Sequence, residues 1–359
     1  MEIVEYQEKD RKEWDEFVNE NPLGRFVHLT GFKDLVEKTF HFPAHYWLAR
    51  KEGKIAALLP AFGHSGFLGK KRLVSQPFSE YGGLLISLSL STEEKADLVE
   101  VFFEKIKSFL KEKGFEALEI HNNLDLPEAL IKQHLKELHL YQYAVLKLAP
   151  IDQLWQKSLN YQVKKAIKRA ESGPLKIHRG LTGEILKENF YPLYFKSMKR
   201  FGSPPQPLEY YLRAGEVLKD NIEFIWAEVK GVPIAGLLGW KCGQRVQITE
   251  TVSNPKFWAE RPNDLLHWEF IKLAQREGFK YFDFGPARYE GQIKYKKKWG
   301  CDFSDYSYYY LPAKEGFVVP KPLDDRKGMG AALSFFWQKI IPLGLTPRLG
   351  KYIRKHLGR

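Results

Sequence analysis

Four lysines fall within five residues in GQIKYKKKWG (291–300): Lys294, Lys296, Lys297 and Lys298, set around Tyr295 and before Trp299. They follow an apolar run, YFDFG (281–285), that contains Asp283. If 292–299 is helical, Lys294 and Lys298 share a face one turn apart, and so do Tyr295 and Trp299, which would bury theirs. Lys296 then lies off the aromatic face, able to reach over the glycine loop. An ammonium in that place suits a phosphate, or the charge that develops on a carbonyl oxygen during acyl transfer. A solvated basic helix face is the plain alternative. Asp283 reads either as a carboxylate that bonds the backbone of the following loop or as a polar group facing a cleft. Asp283 and Glu250 are the candidate general bases, and neither stands out from spacing alone.

Other segments offer weaker chemistry. KKAIKRA (164–170) puts Lys164, Lys165, Lys168 and Arg169 on one or two faces of a helix, for phosphate or for solvent. SQPFSEYGG (75–83) is a loop or edge segment in which Gly82 and Gly83 permit tight turns, and Ser79 and Tyr81 could line a cleft. The chain has no G-x-x-x-x-G-K-[ST] phosphate loop, no H-E-x-x-H and no G-x-S-x-G. Its two cysteines, Cys242 and Cys301, build neither a disulfide framework nor a C-x-x-C site. No metal and no bound cofactor are expected.

These residues need elements to hold them. At roughly 100–200 residues per domain, 359 residues suggest two domains. An apolar share of 44% supports a core in each. The net charge of +12 points to anionic partners: nucleic acid, phosphorylated substrates or anionic lipid. GKIAALLPAFG (53–63) and GVPIAGLLGWKCG (231–243) read as equivalent strands. TEEKADLVEVFFEKIKSFLKEKG (92–114) and NDLLHWEFIKLAQREG (263–278) read as helices that end in glycine. A strand follows each helix, FEALEIHNN (115–123) and FKYFDFG (279–285). The chain therefore repeats a strand–helix–strand unit. The last segment, 326–359, has eight Lys/Arg, no Asp or Glu, and the apolar run AALSFFWQKIIPLGL (331–345). It could pack back on the protein or lie on a membrane, with Pro342 and Pro347 breaking up a long interfacial helix. No run approaches the ~20 apolar residues of a membrane span, and the charged start resembles no signal peptide.

Several stretches together resemble FemABX-type peptidyltransferases. They are WQKSLNYQVKKAIKRAESGPLKIHRG, YPLYFKSMKRFGSPPQP, RPNDLLHWEFIKLAQREGFKYFDFG with GQIKYKKKWG, and, in the first half, LVSQPFSEYGG. The nearest likeness is to the FemAB-like subgroup found with bacterial exopolysaccharide systems. The resemblance implies two tandem GNAT-type acyltransferase domains and transfer of an acyl or aminoacyl group to an amine. It implies that Lys296 lies over the reacting centre, with Tyr295 in place of the usual phenylalanine, and that Arg200 meets a substrate phosphate. Arg288, Tyr295, Tyr81, Ser79, Lys164 and Lys168 complete the expected substrate-binding set. In well-known members the donor is aminoacyl-tRNA and the acceptor is a stem-peptide amine on a nucleotide- or lipid-linked peptidoglycan precursor. Coenzyme A-dependent GNAT enzymes hold the diphosphate on a glycine-rich loop; here that turn reads AERPNDLL (259–266). Aminoacyl-tRNA and acyl-CoA both stay open as donors.

The expected fold is α+β, with an N-terminal GNAT-like domain at 1–150, a second at 151–325 and a basic apolar tail at 326–359. The expected activity is N-acyl or aminoacyl transfer to an amine of a cell-envelope precursor, a peptidoglycan stem peptide or an exopolysaccharide. The protein would work in the cytoplasm, with possible peripheral contact at the inner face of the plasma membrane through the tail. Two rivals stand beside this reading: a non-catalytic module that binds RNA or anionic membrane, and an acyl-CoA-dependent N-acetyltransferase acting on a small amine.

Overall fold

The computed structural model describes residues 1–66, 69–121, 126, 128–320 and 327–357. Among them the chain forms thirteen strands. In order these are β1 Glu2–Glu5, β2 Ala44–Lys51, β3 Lys54–Ser65, β4 Lys71–Ser75, β5 Leu85–Ile86, β6 Ala117–His121 and β7 Lys136–Lys147. They continue as β8 Lys176–Arg179, β9 Ile222–Val229, β10 Val232–Cys242, β11 Arg245–Ser253, β12 Tyr281–Ala287 and β13 Asp302–Pro312. Two units result. The first comprises Met1–Tyr141, Asp305–Lys321 and Lys355–Arg359; the second comprises Gln142–Ser304 and Pro322–Arg354. The expected start of the tail, at 325–326, lies outside the described residues.

The first unit orders its strands β1-β2-β3-β4-β6-β13, with β5 beside β3. Every pairing is antiparallel except β4 with β6. The second unit orders its strands β8-β9-β10-β11-β12, with the Gln142–Lys147 part of β7 beside β12, again antiparallel except for one parallel pair, β11 with β12. The two echoing runs are β3 and β10, so the repeat expected from the sequence is a repeat of the fold. A parallel pair needs a crossover, and a helix supplies it each time. Thr92–Lys113 starts at a capping box in which Ser91 Oγ accepts from Glu94 N, and ends where Gly114 turns left-handed (φ 72°). Pro262–Arg276 opens with proline at its first position, where a missing N–H costs nothing.

Each unit has its own core. Phe102, Phe103, Ile106 and Leu110 of the first helix pack on Ala57, Leu59 and Leu118. Leu266, Phe270 and Ile271 of the second pack on Ile234, Leu237 and Phe282, closed by Trp299. The helix Gly328–Lys339 packs on the second unit through Trp337 and Ser334, and Gln338 Nε2 donates to Arg200 O (3.0 Å). Lys199 Nζ donates to the carbonyls of Trp337 and Ile341. No helix of the described residues is long and apolar enough to cross a membrane.

Candidate active site

β11 and β12 pair at Arg245–Tyr281, Val246–Phe282 and Gln247–Asp283, and then part. Backbone groups released from a sheet need new partners. On β12 two side chains provide them. Asp283, wholly buried, accepts from Gly285 N through Oδ1 (2.8 Å), and Gly285 turns the chain at φ 70°. Lys296, on the helix Glu290–Lys297, donates from Nζ to the carbonyls of Phe284 (2.7 Å), Gly285 (2.8 Å) and Pro286 (2.7 Å). Three ammonium protons thus meet three carbonyls, which is how a charge only 8% exposed is made tolerable. Carboxylate and ammonium grip the same turn, one by its N–H and the other by its C=O. Arg245 Nη1 stands 3.6 Å from Asp283 Oδ2.

On β11 the ladder shifts: Leu238 faces Glu250 while Gly239 faces Ile248, leaving Thr249 as the extra residue of a bulge. A bulge re-aims the side chains beside it. Thr249 Oγ1 accepts from Trp240 Nε1 (2.9 Å). Glu250, half-buried, accepts from the Tyr211 hydroxyl (2.8 Å). Burial raises the Tyr211 phenol well above its ordinary value, so it stays an O–H donor to that carboxylate. Tyr194, edge-on to Tyr211, accepts from Gln206 N (2.9 Å).

Beyond β11 lies the start of the helix Pro262–Arg276. Its Asp264 is 9% exposed, and burial raises its carboxyl despite nearby Arg261 and Lys298. His267 stacks on Phe284 (5.1 Å) and lies 2.7 Å from Asn263 O through Nδ1, which must therefore carry the proton. Burial, and then the charge of Lys296, lower its pKa to about 4. Tyr295 packs on Trp299, as the helical spacing implied, and also on His267. Arg200 ends the helix Tyr191–Phe201, with its guanidinium over Phe201 (4.9 Å) and Trp258 (5.5 Å). Its Nε is buried without a hydrogen-bond partner, and desolvation lowers its pKa.

Lys296 and Asp283 thus meet at the turn of β12, while Tyr295 packs with His267 and Trp299. Glu250 lies on the adjoining strand beyond the last pair, and Arg200 meets Trp258 of the turn that follows. Arg288 is exposed just past β12, where its N–H donates to Gln292 Oε1 (2.8 Å). On the helix Tyr161–Glu171, Lys164 donates to Gln156 O (3.2 Å) and Lys168 is exposed. Ser79 and Tyr81 belong to the first unit and are buried there, Tyr81 beneath the Arg25 guanidinium (4.9 Å). Sequence reasoning missed Tyr211, Asp264 and His267. Asp264 had a readable signal, an acid in the first turn of a helix; Tyr211 and His267 had none.

By the resemblance to GNAT enzymes, an acyl-CoA diphosphate would sit at the start of Pro262–Arg276. Pro262 offers no N–H there, and Asp264 already puts a carboxylate in the first turn. The donor set fits a diphosphate poorly.

Three solved structures show the same fold. The crystal structure of FemX superposes with a TM-score of 0.72 at 15% identity, covering 87% of this chain and 98% of that one. A tandem GNAT protein from the clavulanic acid biosynthesis pathway gives 0.55 at 9% identity, over 88% and 99%. The C-terminal domain of a putative lysylphosphatidylglycerol synthetase from Agrobacterium fabrum gives 0.53 at 10% identity, over 84% and 92%. No curated protein matches in sequence. Residues 157–297 match the model of an acetyltransferase (GNAT) domain, so the chain has the two-domain fold of tandem GNAT proteins with an acetyltransferase-type domain in its second unit.

Proposed function

We propose that the second unit transfers an aminoacyl group to an amine on a cell-envelope precursor, a peptidoglycan stem peptide or an exopolysaccharide. The observation that carries this reading is the parted β11/β12 pair, with Lys296 braced across the turn of one strand and Glu250 on the other, inside the residues that match an acetyltransferase domain. The amine nitrogen attacks the donor carbonyl carbon, and Glu250 takes the proton it sheds. The carbonyl oxygen gains the negative charge. Lys296 stabilises it by exchanging one backbone carbonyl for the oxyanion, a stronger acceptor. The ester carbon–oxygen bond to the donor then breaks, and the ribose oxygen leaves as a hydroxyl with the proton that Glu250 took. Arg200, buried in part and stacked on Trp258, takes a phosphate of the carrier. Asp264 favours aminoacyl-tRNA over acyl-CoA as donor, and the resemblance to FemABX-type enzymes supports the envelope acceptor. Both substrates are polyanions, which suits a net charge of +12.

The test is a transfer assay with the full chain, a UDP-linked muropeptide, and either charged bulk tRNA or acetyl-CoA, read by mass spectrometry of the acceptor. An aminoacyl mass gain that Glu250→Gln abolishes is the expected result. An acetyl gain instead makes the protein an acyl-CoA-dependent N-acetyltransferase. No gain from either donor, or with amine-bearing exopolysaccharide fragments, overturns the transfer reading.

A further inference from the structure

The helix Gly328–Lys339 has two stripes. Gly330, Ser334 and Trp337 are buried against the second unit. One residue earlier at each step, about 100° around the helix, lie Met329, Leu333 and Phe336, at 70%, 53% and 50% exposed, and Ile340, just past the helix, is 58% exposed. The turn Leu343–Leu345 that follows exposes both of its leucines. A surface helix of a water-soluble unit ordinarily turns polar residues to that side, and a contiguous apolar patch marks a contact surface. The segment that carries the patch has charge of one sign. Lys327, Lys339 and Arg348 are exposed with no carboxylate partner among the described residues, and no Asp or Glu occurs from 327 to 357.

We propose that this face docks on an anionic lipid bilayer. The apolar stripe would enter the headgroup–acyl boundary, with the cations on lipid phosphates. Two observations favour lipid over other occupants. A second copy of the chain would bring an equally basic segment against this one. RNA would satisfy the cations but leave Met329, Leu333 and Ile340 without a role. Membrane docking needs no acyl-transfer chemistry, so it stands or falls apart from the function proposed above.

The experiment is co-sedimentation of the full chain with phosphatidylcholine vesicles, with and without phosphatidylglycerol. Binding is expected with the anionic vesicles alone. It should weaken roughly fivefold for each of Lys339→Gln and Arg348→Gln and fall to background in L333E/F336E. All of these variants should melt as the parent does, because the altered side chains are exposed. Equal binding to both vesicle types, no binding, or binding that L333E/F336E leaves intact would overturn the proposal. So would light scattering that shows a dimer dispersed by L333E/F336E, which would give the face to a second copy.

Discussion

The pairs β4/β6 and β11/β12 are the same device built twice. Each is parallel and in register over three positions, Leu73–Leu118 to Ser75–Ile120 in one and Arg245–Tyr281 to Gln247–Asp283 in the other. They differ in what enters the opening beyond. In the first unit the chain's own backbone returns. Gly82 N donates to His121 O (2.9 Å), and Gly83 N donates to Ser75 Oγ (2.7 Å). A Cβ on Gly82 would stand 2.0 Å from Ser75 O. The polar groups there are matched among themselves: Glu119 takes Arg72 (2.6 Å) and His121 (2.9 Å). In the second unit a Cβ on Gly285 would meet Ile248 O at 3.5 Å, an ordinary contact, and a lysine side chain holds the turn. A ligand can displace a side-chain hydrogen bond. Backbone wedged into a sheet leaves no room for one.

The largest effect that tests this contrast is on turnover. Glu250→Gln should slow transfer by roughly 10²–10⁴-fold with the melting temperature nearly unchanged. Lys296→Ala should cost about 10²-fold in turnover and, by stranding three carbonyls, about 2–4 kcal/mol in urea unfolding. Full activity in either variant would remove the reason for assigning chemistry to the second unit. Next come the glycines. Gly82→Ala should destabilise by about 3 kcal/mol or more because backbone is in the way, whereas Gly285→Ala should cost only about 1–2 kcal/mol, for its left-handed φ. Equal losses would mean that the two openings are equally filled.

A pH titration reads the second opening as the difference between the parent and His267→Gln, because burial also lowers the pKa of His28, which faces Gly83 in the first opening, to about 3. The His267 pKa of about 4 lies below the usual 6.5, so between those values the unfolded chain binds a proton that the folded ring refuses. Stability is complete above pH 6.5 and declines as pH falls toward 4, by up to about 3 kcal/mol. His267→Gln should lessen that decline in urea midpoints, leaving the part due to His28; an unchanged slope would take His267 out of it. The smallest effect is Tyr211→Phe, about 1 kcal/mol of stability from one lost hydrogen bond to Glu250, together with an acid-limb shift of the pH–rate profile to higher pH. No such shift would separate Glu250 from the proton transfer.

The sequence carried the repeat, because glycine-bounded apolar runs and capped helices are local signals: Ser91 with Glu94, Gly114, Pro262. It also carried the Tyr295–Trp299 face and one of the two readings of Asp283, since both depend on neighbours within a few residues. The partners of Lys296 were out of reach. They are carbonyls, present in every residue, and only the parting of β11 from β12 exposes these three. Glu250 pairs with a tyrosine 39 residues away, a distance set by the sheet and not by any spacing. Residues 305–312 read DYSYYYLP, and nothing in that run says which sheet they join.

They join the first. β6 is flanked on one side by β4 and on the other by β13, at Tyr308–His121 through Pro312–Ala117. A ribosome completes β6 at residue 121 and β13 at residue 312. At ~5–20 residues per second the interval is on the order of 10–40 s. For that time the nascent first unit holds an open edge of sheet, the kind of template on which chains aggregate. The same holds for any fragment cut after the first unit's early segment. Such a piece lacks its sixth strand, and expression of residues 1–150 alone should yield insoluble protein that a longer chain ending past 312 does not.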